Sequence, residues 1–195
     1  MKKIVYIISL VLLLTTFGYA NEDIKTSMDT KIHKALNILK EKNVSDKQKA
    51  EKIFKMFDKM FDYGLMARLS IGRDEWYSIN DEQKKSYIKA FIKLLKESFI
   101  EKLKLYNNQD IVVKDFLKTK RGRGILKTLI VGKKDSVKVD YKFYRSKKRG
   151  WIIYDVLISD VSIIQSYRKQ FADILQNSNF DKFLKKIETP QKTNA

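Results

Sequence analysis

The chain has 195 residues, 41 Lys and Arg against 23 Asp and Glu, a single histidine and no cysteine, for a net charge of +18. That inventory excludes thiol chemistry, disulfide staples and the Cys/His ligand sets of structural zinc. An excess of cations this large fits a polyanionic partner such as nucleic acid, an acidic membrane surface or an acidic protein.

The N-terminus reads Met1-Lys2-Lys3, then an apolar run from Ile4 to Phe17 broken only by Ser9, Thr15 and Thr16, then Gly18-Tyr19-Ala20. A positive start, a short hydrophobic centre and small residues before the cut describe a cleavable secretory signal over residues 1–20. The run is shorter than the roughly 20 apolar residues of a membrane span. No cysteine follows it to carry a lipoprotein anchor, and no twin arginine precedes it. The mature chain is expected to start at Asn21 with 175 residues, its charge lowered from +18 to +16 by loss of Lys2 and Lys3. A chain of that length buries a sizeable core without staples. Export outside the cytoplasm argues against nucleic acid and leaves lipid headgroups and acidic protein surfaces.

Ile24, Met28, Ile32, Ala35, Leu36 and Leu39 share one face of a first helix. Ser45 followed by Gln48 makes a capping box for a second helix carrying Ile53, Phe54, Phe57, Met60 and Phe61. A short third helix with Leu65, Met66 and Leu69 ends at Gly72, and Asn80 with Gln83 opens a long one carrying Tyr87, Phe91, Leu95, Phe99 and Leu103. After Asn107-Asn108 the period becomes strand-like, with strands expected at 111–117, 125–131, 137–144 and 151–158. Val137, Val139, Tyr141 and Phe143 alternate with Lys138, Asp140 and Lys142, so one face of the third strand is apolar and the other wet. Ser159 to Ser162 then turn into an amphipathic helix with Ile163, Ile164, Tyr167, Phe171, Ile174 and Leu175 on one face. The order predicts an α+β fold of N-terminal helices, a four-stranded antiparallel meander and C-terminal helices; the expected form is cone-shaped and nuclear-transport-factor-2-like, with an apolar pocket between sheet and helices. One domain is expected over 21–188, followed by a polar tail over 189–195 that holds the only proline, Pro190.

Candidates for catalysis are few. His33 lies among Thr30, Lys31 and Lys34, off the apolar helix face and without an orienting partner, so a surface role is expected. Arg121-Gly122-Arg123-Gly124 lacks the phosphate-loop pattern and sits where a hairpin turn is needed. Asp155, inside the apolar fourth strand, is the one acid to watch. Under regular alternation it shares a face with Trp151, Ile153 and Leu157. Pairing with a base is the expected role for such a carboxylate, and an enzyme using it as a general base is the alternative. No catalytic residue, metal site or cofactor is expected. The clusters Lys118 to Arg121, Lys133-Lys134 and Arg145 to Arg149 fall at hairpin ends, the first and third at one edge of the sheet. They make a polyanion-binding interaction module a further alternative.

Phe61-Asp62-Tyr63-Gly64-Leu65-Met66-Ala67-Arg68-Leu69-Ser70-Ile71-Gly72, then Trp76, Asp81-Glu82-Gln83, Phe91 with Leu94-Leu95, Tyr106-Asn107-Asn108-Gln109, Val139-Asp140-Tyr141 and Gly150-Trp151 follow one another in this order. With Tyr154-Asp155-Val156 and the stretch from Val161 to Phe171, the chain strongly resembles the periplasmic MlaC-type phospholipid-binding family, also called the toluene-tolerance family. It departs at Asp81, where the family commonly has proline, and at Ser159-Asp160, where Glu-Gly is common. The resemblance implies a soluble, non-enzymatic periplasmic carrier. It would shuttle phospholipid between the outer membrane, with its lipoprotein–porin complex, and an inner-membrane ABC transporter with an MCE-domain ring, so maintaining outer-membrane lipid asymmetry.

Acyl chains between sheet and helices would touch residues drawn from Phe61, Leu65, Met66, Leu69, Phe91, Leu95, Phe99, Val139, Tyr141, Trp151, Tyr154, Val156, Ile158, Val161, Ile164, Tyr167 and Phe171. A good fraction of these must instead fill a closed core, since core and pocket use the same residue types. The headgroup would stay at the mouth near Arg68 or Arg168, with little selectivity among headgroups, because desolvating a phosphate is costly. The carrier is expected to be monomeric.

Overall fold

The structure is a computed structural model that describes residues 24–133 and 135–189. The expected signal over 1–20, Lys134 and the tail from Pro190 lie outside the described residues. No helix among the described residues is long and apolar enough to cross a membrane.

Helix α1, Ile24–Leu39, buries Ile24, Met28, Ile32 and Leu36, one residue per turn on a single stripe. Helix α2, Asp46–Phe57, begins at the expected capping box: Ser45 Oγ accepts the Gln48 N–H at 3.3 Å, and Gln48 Oε1 accepts the Ser45 N–H at 3.1 Å. It stops sooner than its apolar spacing suggests. A 3-10 turn over Asp58–Met60 follows, and Phe61 is extended, with φ −96° and ψ 143°. The reason is tertiary. Asp62 donates its N–H to Ile153 O at 2.8 Å and its side chain caps the next helix through the Leu65 N–H at 2.9 Å, so the chain must leave α2 first.

That next helix, α3, spans Tyr63–Ile71, ends at Gly72 and is followed by the short α4, Arg73–Ser78. Helix α5, Asp81–Leu103, opens on the expected Asn80/Gln83 box. Five strands follow: β1 Asp110–Thr119, β2 Arg123–Val131, β3 Ser136–Ser146, β4 Gly150–Ile158 and the two-residue β5 Val161–Ser162. They form one antiparallel meander in the order β1-β2-β3-β4-β5. The fifth strand, one more than expected, arises because Ser159 and Asp160 adopt left-handed φ values of 48° and 66° and fold the chain back on β4. Helices α6, Ile163–Leu175, and α7, Phe180–Glu188, close the described chain.

Two β-bulges reset the alternation. On β1 the register shifts between Val113 and Phe116, and on β4 Lys142 pairs with Asp155 but Phe143 with Ile153, leaving Tyr154 as the extra residue. Trp151 and Ile153 therefore share a face with Val156, and Asp155 lies on the other. This corrects the regular alternation expected for β4.

The buried residues separate into two cores. A helical core joins Met66, Ala67 and Ile71 of α3, Tyr87 and Phe91 of α5, Ile164 and Phe171 of α6, and Phe180, Phe183 and Ile187 of α7. A second core joins the stripe of α1 to Leu126, Phe143 and Ile153 of the sheet. Phe61 packs against both. Helix-to-sheet contacts come mainly from α1 on β1 and from α3 and α6 on β4, whereas α5 packs chiefly on α7, α3 and α2.

Candidate functional site

The register aligns one continuous apolar face across the central strands. Leu126, Thr128 and Ile130 of β2 stand opposite Tyr141, Val139 and Val137 of β3, which in turn oppose Val156 and Ile158 of β4. This face meets α1 at its Phe143 end, where Leu126, Phe143 and Ile153 are fully buried. Farther along, Ile130, Val137, Tyr141, Val156 and Ile158 are only half-buried, although no helix takes β2 or β3 as a main partner. Thr128, buried here, removes its own polarity by donating its hydroxyl to Val139 O at 2.6 Å.

Tyr141 is the informative member of this face. Burial alone, with no charge or hydrogen-bond partner contributing, pushes its phenol up to about 12. Its ring nevertheless keeps accessible surface. The half-buried residues Ile130, Val137, Tyr141, Val156 and Ile158 form an apolar seam along this face of the sheet.

The expected contact residues divide according to this seam. Val139, Tyr141, Val156 and Ile158 lie on the sheet face itself, and Trp151 packs at its α1 end, its ring 5.1 Å from that of Phe116. Leu65 of α3 and Phe99 of α5 are half-buried and belong to neither core, while Leu69, Leu95 and Tyr167 are half-buried at the edge of the helical one. Phe61 bridges the two. Met66, Phe91, Ile164 and Phe171 fill the closed helical core, at 3%, 0%, 1% and 1% exposure. Two residues stand apart. The bulge carries Tyr154 toward Tyr144 and under the Arg123 guanidinium, 4.7 Å from its ring, on the opposite face of the sheet. Val161 is 60% exposed on β5. Val137 stands on the apolar face where the alternation of its strand placed it but was not among the expected contact residues, and Ile130 opposite it is a face residue that the sequence reading missed.

Asp155 is buried and held by three donors. It accepts from Lys142 Nζ at 3.2 Å, from Ser162 Oγ at 2.8 Å and from the Ile164 N–H at 3.4 Å, pinning β3, β5 and the start of α6 to β4. Three donors take up most of the roughly four acceptor sites of a carboxylate, the arrangement of a structural pin. His33 is exposed on α1, its Nδ1 2.9 Å from Asp29 O. No group of His, Asp or Glu able to hold a metal occurs among the described residues.

Arg168 of α6 rests on Gly72, whose φ is +86°. A Cβ there would meet Arg168 Nη2 at 3.2 Å, so glycine admits both the turn and the guanidinium. Arg68 is exposed on α3, and neither arginine forms an ion pair among the described residues. A recess of about 280 Å³ between the α1–α2 turn and the end of α5 is lined by Lys40, Glu41, Asp46, Lys49 and Lys104 among others, a lining too charged for an acyl chain.

An α+β fold with two cores and a half-buried apolar sheet face is an arrangement in which a small-molecule binding site can be built. Residues 29–189 match the family described as MlaC protein, and the chain belongs to that family. The fold is also that of a phospholipid-binding protein from Ralstonia solanacearum, solved in complex with a phospholipid. That protein is 20% identical, with a TM-score of 0.69 over 85% of this chain and 98% of that one. No curated protein matches the chain.

Proposed function

We propose that this protein is an exported, non-enzymatic carrier that holds phospholipid acyl chains in the seam between sheet and helices and ferries them across the periplasm. The observation that carries the reading is the half-buried apolar row of Val137, Tyr141, Val156 and Ile158 on one face of β3 and β4, where β3 has no helix as a main partner. Membership of the MlaC family and the phospholipid held by the Ralstonia solanacearum protein support it. Burying a methylene is favourable by about 0.8 kcal/mol, so a 16-carbon chain has on the order of 12 kcal/mol holding it in such a seam. The headgroup stays outside, beside Arg68 and Arg168. The lipid is exchanged with an inner-membrane MCE/ABC transporter and with the lipoprotein–porin complex of the outer membrane. Residues 1–20 act as the cleaved signal, and the mature chain works as a monomer.

Native mass spectrometry with lipid extraction, on protein purified from a bacterial periplasm, tests this reading. Bound phospholipid near one-to-one is expected. Ile158→Trp, which fills the seam without introducing charge, should displace it while the protein stays folded. A folded, lipid-free wild type would overturn the proposal, and undiminished loading of the tryptophan variant would move the chains away from β4.

A further inference from the structure

The turns β1–β2 and β3–β4 bring two runs of cations to one end of the sheet: Lys118, Lys120, Arg121 and Arg123 from the first, and Arg145, Lys147, Lys148 and Arg149 from the second. The two turns touch, since a Cβ on Gly122 would lie 3.7 Å from Arg145 Cβ. All eight side chains are exposed, and residues 117–125 and 144–151 contain no acid. None of the eight forms an ion pair among the described residues, whereas lysines on the helices pair with their own acids, as Lys52 does with Glu41 and Lys96 with Asp58.

The tip is also held in shape. Arg121, Gly122 and Gly150 take left-handed φ values of 62°, 66° and 70°, and Arg149 anchors its turn by donating to Lys59 O at 2.8 Å and Phe61 O at 3.1 Å. Apolar surface lies within the charge. Leu117, beside Lys118 on β1, is 45% exposed, and the half-buried Trp151 is the cross-strand partner of Arg145.

We propose that this hairpin end is a docking surface for an anionic lipid bilayer, distinct from the seam that takes the cargo. A hairpin end with many exposed, unpaired cations suits a broad sheet of negative headgroups. A leucine and a half-buried tryptophan among the cations is the composition that settles at the headgroup level of a membrane. An acidic protein partner would instead need matched acids for eight cations. The proposal rests on charge and exposure, not on the cargo, so the two can fail separately.

The test is co-sedimentation of the full mature protein with vesicles of phosphatidylcholine alone, or of equimolar phosphatidylcholine and phosphatidylglycerol. Binding is expected only to the anionic vesicles and should weaken as salt rises. Reversing Lys120, Arg121, Lys147 and Lys148 to Glu should weaken it by about 100-fold or more, given what each cation near such a surface contributes. Reversing Lys169, Lys182, Lys185 and Lys186, equally exposed on α6 and α7, should cost less than about tenfold for the same change in net charge. Native mass spectrometry should show unchanged bound lipid in the hairpin variant. Equal losses from both variants would make net charge, not this surface, the cause. Equal binding to neutral vesicles, or no binding to anionic ones, would also overturn the proposal, the latter pointing to an acidic protein. Loss of cargo in the hairpin variant would refute a separate surface.

Discussion

Substituting Asp155 by Asn separates a structural pin from a general base. The carboxylate is 5% exposed, accepts from Lys142, Ser162 and the Ile164 N–H, and thereby fixes β5 and the first turn of α6 against β4. An amide of the same shape can still accept from Ser162 through its oxygen. Its NH2 group, however, confronts the Lys142 ammonium, so a charge-assisted bond is lost and a donor faces a donor. Lys142 is partly exposed and can turn to water, which limits the cost to about 2 kcal/mol. For a chain of this size that is a fall in Tm of about 4–8 °C, with an unchanged denaturant m-value. Lys142→Met should cost a comparable amount, and the double variant should cost less than the sum, because both remove one bond. Wild-type stability of Asp155→Asn in urea unfolding would refute the pin.

Asp62 both caps α3 and receives the Tyr144 hydroxyl, so Asp62→Ala should cost about 2 kcal/mol in denaturant unfolding, and Asp62→Asn should restore the capping half. Gly124→Ala should cost about 1–2 kcal/mol and change tryptophan fluorescence. The new Cβ would lie 2.4 Å from Phe116 Cζ, whose ring is wedged between Phe143 and Trp151. Spectrophotometric titration should find Tyr141 protonated until about pH 12 in the folded protein, with Tyr63 and Tyr87 held protonated further still by burial. Because folding raises these phenols above the ordinary 10.0, the folded state keeps protons the unfolded chain releases. Their stabilisation is complete below pH 10 and should be lost as pH climbs toward 12 and beyond, read by unfolding at stepped alkaline pH.

Local chemistry is what the sequence alone determined. Both capping boxes, at Ser45 and Asn80, the stop at Gly72 and the apolar stripe of α1 depend on neighbours a few residues away, and each occurs where its spacing placed it. Alternation along β3 likewise put Val139, Tyr141 and Phe143 on one face, because a strand without a bulge has a side-chain period of two. Contacts between distant segments decided the rest. Phe61 leaves α2 to bridge Ile153, and an extra residue at Tyr154 turns that ring outward and places Asp155 opposite Lys142. Neither change has a signature in hydrophobic periodicity, since both depend on which strand or helix lies alongside. Whether an apolar side chain is core or seam is also undetermined by its identity. Ile164 and Ile158 are the same residue six positions apart, yet one is sealed in the helical core with residues of α3, α5 and α7 while the other stands half-open on β4. Burial is a property of the packed layers around a residue, and only the tertiary structure supplies those layers.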